Sequence, residues 1–185
     1  VGLTTSKRDL DDILVWEKTI SGQLNKTFNV YAELHRGVDV TPYQENDCYN
    51  DAVGLLLPFD VGANSGITGA KNIEINNIQI LCDNPNGLLL PKIFFFPVSD
   101  IAGVSFDDNQ PFIPYYADIP NYTNYFTGFA VTKTLNLSHY FKNDLKTIVR
   151  SDVDNKIYIL VVLNGAYTPL NGEYIQVQIQ GKIKN

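Results

Sequence analysis

The feature that most constrains this chain is a period of two. In the C-terminal stretch, Ile175, Val177 and Ile179 alternate with Gln176, Gln178 and Gln180. Successive side chains of a strand point to opposite faces, so this segment reads as a strand with one core face and one polar face. Phe28, Val30, Ala32 and Leu34 alternate with Asn29, Tyr31 and Glu33 in the same way. Ile73, Ile75, Ile78 and Ile80 follow the rule but lose phase at Asn76-Asn77. One extra residue in a β-bulge there returns both halves to one face.

Other segments are continuous apolar runs. Lys156 to Leu163 (KIYILVVL) is short and β-branched, as expected of a central strand buried on both faces. Ile157, Ile159, Val161 and Leu163 then share one face, and Tyr158, Leu160 and Val162 the other. Leu88 to Val98 (LLLPKIFFFPV) predicts another strand, broken or edged at Pro91 and stopped at Pro97. Phe129 to Leu137 predicts one more, bounded by Gly128 and the His139 region. Turn signals separate the runs at Asn64-Ser65-Gly66, Asp83 to Gly87, Asp107-Asp108-Asn109, Asn164-Gly165 and Asn171-Gly172. Short strands at this spacing, with no βαβ rhythm, predict an all-β fold: an antiparallel β-sandwich or jelly roll over residues 26–185.

The first 25 residues differ. Ser6 and Asp9 form a loose capping signal, and Leu10, Ile13, Leu14 and Glu17 fall on one helical face. This predicts an N-terminal arm or short helix over residues 1–25, although Ile13 to Trp16 also fits a strand. Its apolar side chains, with Trp16 as anchor, are candidates for contact with a partner, because a helix this short takes its stability from packing.

Charge and cysteine usage narrow the function classes. The net charge is −6, from 20 acidic and 14 basic residues in 185. Such a chain gains little from counterion release on a phosphate backbone, so direct nucleic-acid binding is not expected. No apolar run reaches the roughly 18 residues of a membrane helix, and no membrane role is expected. Charged residues make up 18% of the chain and aromatics 12%, which argues against disorder throughout. Cys48 and Cys82 are expected as buried free thiols.

No catalytic constellation stands out. Cys48 lies in NDCYND, whose acids raise a thiol pKa. Ser138 and His139 are strand neighbours that point to opposite faces. Two cysteines and two histidines, none at ligand spacing, make no transition-metal site. Asp107-Asp108-Asn109 and Asp152 to Asn155 supply clustered oxygens without the glycine and distal glutamate of an EF-hand, and read as strand-flanking turns. Twenty acids contain no selected pair for glycoside hydrolysis. We expect no enzyme, no cofactor and no metal.

The most unusual segment runs from Pro111 to Phe129. It carries Phe112, Tyr115, Tyr116, Tyr122, Tyr125 and Phe126 among Pro111, Pro114 and Pro120. It reads either as a loop presenting tyrosine rings to a sugar or protein partner, or as an irregular connection whose rings pack over the sandwich.

From about Ser65 to Lys184 the chain resembles tailed-bacteriophage virion proteins built as β-sandwiches or jelly rolls. The segments that carry the likeness are SGITGAKNIEINNIQIL, LLLPKIFFFPVSD, DDNQPF, IYILVVLNGAYTP and EYIQVQIQGKI. The resemblance implies a capsid auxiliary or decoration protein at the virion surface, made in the bacterial cytoplasm. It implies the major capsid protein, other virion proteins or a second copy of the chain as partners. The alternative is a receptor- or glycan-binding head or tail fibre module using residues 111–129.

Overall fold

A computed structural model describes residues 27–51, 54–62, 69–99, 101, 106–112 and 125–184. The expected N-terminal arm or helix lies outside these residues, and among those described there is no helix. The described residues form eleven strands: β1 (Thr27–His35), β2 (Cys48–Tyr49), β3 (Leu57–Asp60), β4 (Asn72–Cys82), β5 (Pro91–Phe96), β6 (Tyr125–Phe126), β7 (Ala130–Lys133), β8 (Ser138–Lys142), β9 (Thr147–Arg150), β10 (Lys156–Leu163) and β11 (Tyr174–Lys184).

They form two antiparallel sheets. One runs β1-β11-β4-β8-β7, with β9 also on β4; the other runs β2-β10-β5-β6, with β3 also on β10. The pairing is that of one long hairpin rolled up. β1 pairs with β11, β2 and β3 with β10, β4 with β8 and β9, and β5 with β6. With β2/β3 and β8/β9 each counted as one interrupted strand, and β7 set apart as an additional edge strand beside β8, the remaining eight strands follow the jelly-roll order.

The bulge in β4 falls where the isoleucine phase predicts it. Gln180 pairs with Asn77 but Gly181 pairs with Ile75, so Asn76 is the extra residue. Ile73, Ile75, Ile78 and Ile80 are consequently all fully buried. Opposite the bulge the partner strand breaks between β8 and β9, where Asp144 and Lys146 turn through φ of 58° and 50°. The Leu145 amide donates to the Asn76 carbonyl at 2.9 Å and closes the gap.

Two apolar clusters hold the sheets. The first lies between them and contains Ile157, Ile159, Val161 and Leu163 of β10, facing Ile175, Val177 and Ile179 of β11. The second covers the outer face of the smaller sheet and contains Tyr158, Leu160 and Val162 of β10 with Phe94 and Phe96 of β5. Both faces of β10 are therefore core, which accounts for its unbroken apolar run.

Two strand expectations need correction. Leu88 to Leu90 stay outside the sheet, and β5 begins at Pro91. Phe129 to Leu137 is not one strand. It is β7 followed by a tight turn closed by Thr134 N–H to the Leu137 carbonyl at 2.8 Å, and β8 follows. The Thr-Leu-Asn-Leu turn lacks glycine and proline, and Asn136 alone is a weak local turn signal.

Candidate functional site

The outer face of the larger sheet carries polar and aromatic side chains in rows across four strands. It is built by the same alternation that fills the core. Tyr31, Gln178, Gln79 and Phe141 stand side by side across β1, β11, β4 and β8. In the next row stand Glu33, Gln176, Leu81 and His139. The amides are fixed by cross-strand hydrogen bonds: Gln176 Nε2 donates to Glu33 Oε1 at 3.0 Å, and Gln178 Nε2 to Asn29 Oδ1 at 2.7 Å. His139 Nε2 lies 3.2 Å from Gln79 Oε1, and its ring packs 5.5 Å from that of Phe141. Tyr31 is 65% exposed. The alternating glutamines were legible in the sequence as a polar face, but their alignment with Tyr31, Gln79 and His139 depends on three strand registers.

A second polar cluster is buried at one end of the sandwich. Glu173 accepts from Tyr49 Oη at 2.7 Å on one oxygen. Its other oxygen accepts from Tyr167 Oη at 2.8 Å, Asn84 Nδ2 at 2.9 Å and the Leu170 amide at 3.0 Å. Beside it the buried Arg36 guanidinium lies over the Tyr43 ring and donates to Asp108 at 2.9 Å. Asp108 also accepts from Tyr43 Oη at 2.5 Å and from the Asn50 amide at 3.0 Å. This latch ties the 106–112 loop to the sandwich, and Phe106 and Phe112 of that loop pack on the outer face of the smaller sheet.

The chemistry of this cluster is closed. Burial, then the Glu173 carboxylate, raises the Tyr49 phenol well above its usual range, and burial does the same first for Tyr167 and Tyr43. Burial, reinforced by Glu173, pushes the Cys82 thiol up to about 12. Burial, followed by Asp47, does the same for Cys48. Cys82, Asp83 and Glu173 place ligand-type atoms within 4.8 Å of one another. Both Glu173 oxygens already accept hydrogen bonds, Asp83 accepts from the Tyr174 amide at 3.0 Å, and the thiol stays protonated. That donor set suits a hydrogen-bonded plug better than a cation site.

Two measurements follow. Folding favours the protonated thiols and phenols, so their contribution is complete below the unfolded values of 9.0 and 10.0 and is lost as pH rises through the raised folded values. Stability should hold to about pH 9 and then fall steeply, with ionisation of the buried phenols of Tyr43, Tyr49 and Tyr167 appearing together with unfolding. Ionisation of Tyr43, Tyr49 or Tyr167 themselves in a still-folded protein at ordinary phenol pH, read residue by residue from their ring resonances, would contradict their burial. Both cysteines are free and fully buried. Alkylation without reductant should label neither in the native protein and both in denaturant.

Of the residues singled out in sequence, Leu10, Ile13, Leu14, Trp16, Tyr115, Tyr116 and Tyr122 lie outside the described residues. Tyr125 pairs with Phe94 in β6. Phe126 is half-buried and packs edge-on against Phe95, with centroids 5.8 Å apart. Phe112 is buried, 5.1 Å from Phe94. The rings of Phe112 and Phe126 thus pack on the sandwich. The Asp152 turn is strand-flanking, as expected: Asp152 Oδ1 accepts from the Asp154 and Lys156 amides at 2.9 and 2.8 Å. An apolar cleft of about 190 Å³ opens between Leu88–Pro91, Phe129, Val131 and Tyr140.

No protein-family model matches this chain, and no curated protein does. Among solved structures it is similar to a chain from the structure of a marine algae virus of the order Picornavirales. The alignment shows 9% identity over 89% of this chain and 71% of that one, with a TM-score of 0.28. A superposition that loose carries no argument about role.

Proposed function

We propose that this chain is a non-catalytic structural protein of a tailed-phage virion, a jelly-roll subunit that docks on the assembled capsid and stabilises or decorates it. The observation that carries the reading is the rolled-hairpin strand order, taken together with the sequence resemblance. Jelly rolls serve in viral capsids, lectins and cupins, and a fold by itself does not choose among these. The residues favour the first two. A cupin-type centre needs ligands inside the sandwich, whereas the interior positions here are held by Ile75, Ile78, Ile80, Ile159 and Ile179. His35 is exposed and His139 belongs to the outer face.

The test is reconstitution. Capsids purified without the protein should bind it saturably, in proportion to the capsid lattice, and should resist heat better once loaded. Absence of capsid binding, with a copy number per particle matching a tail or fibre, would reject the reading. Deletion of residues 1–20 separates two modes of attachment. If this segment is an arm, the truncated protein melts cooperatively but no longer binds capsids. If it aggregates or loses its cooperative transition, the segment belongs to its own core.

A further inference from the structure

We infer that the outer face of the six-stranded sheet is a binding site for a neutral oligosaccharide lying across the strands. This goes beyond capsid docking and does not depend on it. The site is the pair of rows containing Tyr31, Gln178, Gln79 and Phe141, with Gln176 and His139 beside them.

Three properties select the ligand. The first is hydrogen-bonding type. A primary amide offers two donors and a carbonyl acceptor without charge, which matches a hydroxyl that both donates and accepts. The cross-strand bonds of Gln176 and Gln178 use one N–H each and leave the remaining groups for a ligand. The second is shape. Tyr31 stands on one flank of the central amides, and Phe141 and His139 stand on the other, three strand spacings away. That is about 14 Å, the reach of a short oligosaccharide. Ring faces at the flanks accept the apolar C–H faces of sugar rings, while the amides between them meet hydroxyls.

The third property is charge. The chain carries −6, yet Glu33 and His139 are the acid and the imidazole of these two rows, and no lysine or arginine stands in them. A polyanion finds no cation there. Lys182 and Lys184 lie beyond the bulge, and both are held by Glu74, at 2.9 and 2.6 Å. A protein partner would find the Tyr31 and Phe141 rings held apart by neutral amides, in place of the central cluster of anchors on which such interfaces depend. The amides are held in register by the sheet, so little ordering cost remains on binding.

The full chain is to be titrated with soluble neutral oligomers of glucose, mannose and N-acetylglucosamine, and with oligogalacturonate as an anionic control. Side-chain amide resonances report on the site, and calorimetry reports affinity. At least one neutral oligomer should saturably shift the amides of Gln176, Gln178 and Gln79. Tyr31→Ala and Gln178→Ala should each weaken binding about tenfold, the scale of one ring contact or well-formed hydrogen bond. Both variants should keep the melting temperature and capsid binding, and Gln79→Ala serves if either folds poorly. The inference is overturned if no neutral oligomer binds, if oligogalacturonate alone binds, if the shifts map to residues 111–129, or if the folded variants bind as well as the parent. It is also overturned if Tyr31→Ala abolishes capsid binding, which would make the face a protein interface. Failure of capsid docking with sugar binding intact would reject the proposed virion role and leave this site standing.

Discussion

Glu173→Ala is expected to destabilise the protein by about 3–5 kcal/mol, since each buried donor left without an acceptor costs roughly 1–3 kcal/mol. The side chain is 1% exposed and holds the hydroxyls of Tyr49 and Tyr167 and the amide of Asn84 together. These groups come from β2, from the loop after β4 and from the loop before β11, so the lost acceptor opens one end of the sandwich. Glu173→Gln keeps one carbonyl acceptor and adds a donor where the neighbours already donate, so its cost should fall between that of alanine and zero. Urea unfolding midpoints at neutral pH decide the order. A Glu173→Ala protein as stable as its parent would show that the network is not what closes that end.

The second large effect is expected on β10. Ile159→Ala empties the cluster between the sheets, and Leu160→Ala empties the cluster on the far side of the smaller sheet. Each should cost about 2–5 kcal/mol, as large-to-small changes at fully buried positions do. The two side chains point to opposite faces and share no cluster, so their costs should add, apart from the coupling that their shared strand backbone introduces. The sum approaches the whole stability of a domain this size, roughly 5–15 kcal/mol. The double variant should therefore be unfolded or close to it by circular dichroism and thermal melting. Marked protection in the double variant would mean that the two clusters are not independent.

Gly181 shows how tightly the bulge is built. A Cβ at that position would collide with the backbone carbonyl of Glu74 and press on the Phe28 ring. Neither a paired backbone nor a packed ring moves cheaply, so only glycine fits opposite the extra residue Asn76. The sequence carries half of this feature, in the broken isoleucine phase. The other half, the glycine seated across the strand pair, becomes visible once the register of β4 and β11 is known.

What the sequence by itself determined is local and periodic. Alternation in β1, β4 and β11 defined which side chains enter the core, and unbroken apolar runs marked β10 as a strand covered on both faces and the body of β5 as a strand. The Asp107-Asp108-Asn109 and Asn171-Gly172 signals appear as turns, with Asn109 and Gly172 at φ of 58° and 67°. These features are legible because strand periodicity and turn conformation depend on residues a few positions apart. Tertiary structure decided everything that depends on pairing across the chain. Thr27 meets Lys182, Arg36 meets Asp108 and Tyr49 meets Glu173, and no local pattern encodes which distant partner a strand or a buried charge will find. The amide face and the buried plug are both assembled from several strands and loops at once. Their residues were each readable as polar or aromatic, and only the rolled hairpin placed them side by side.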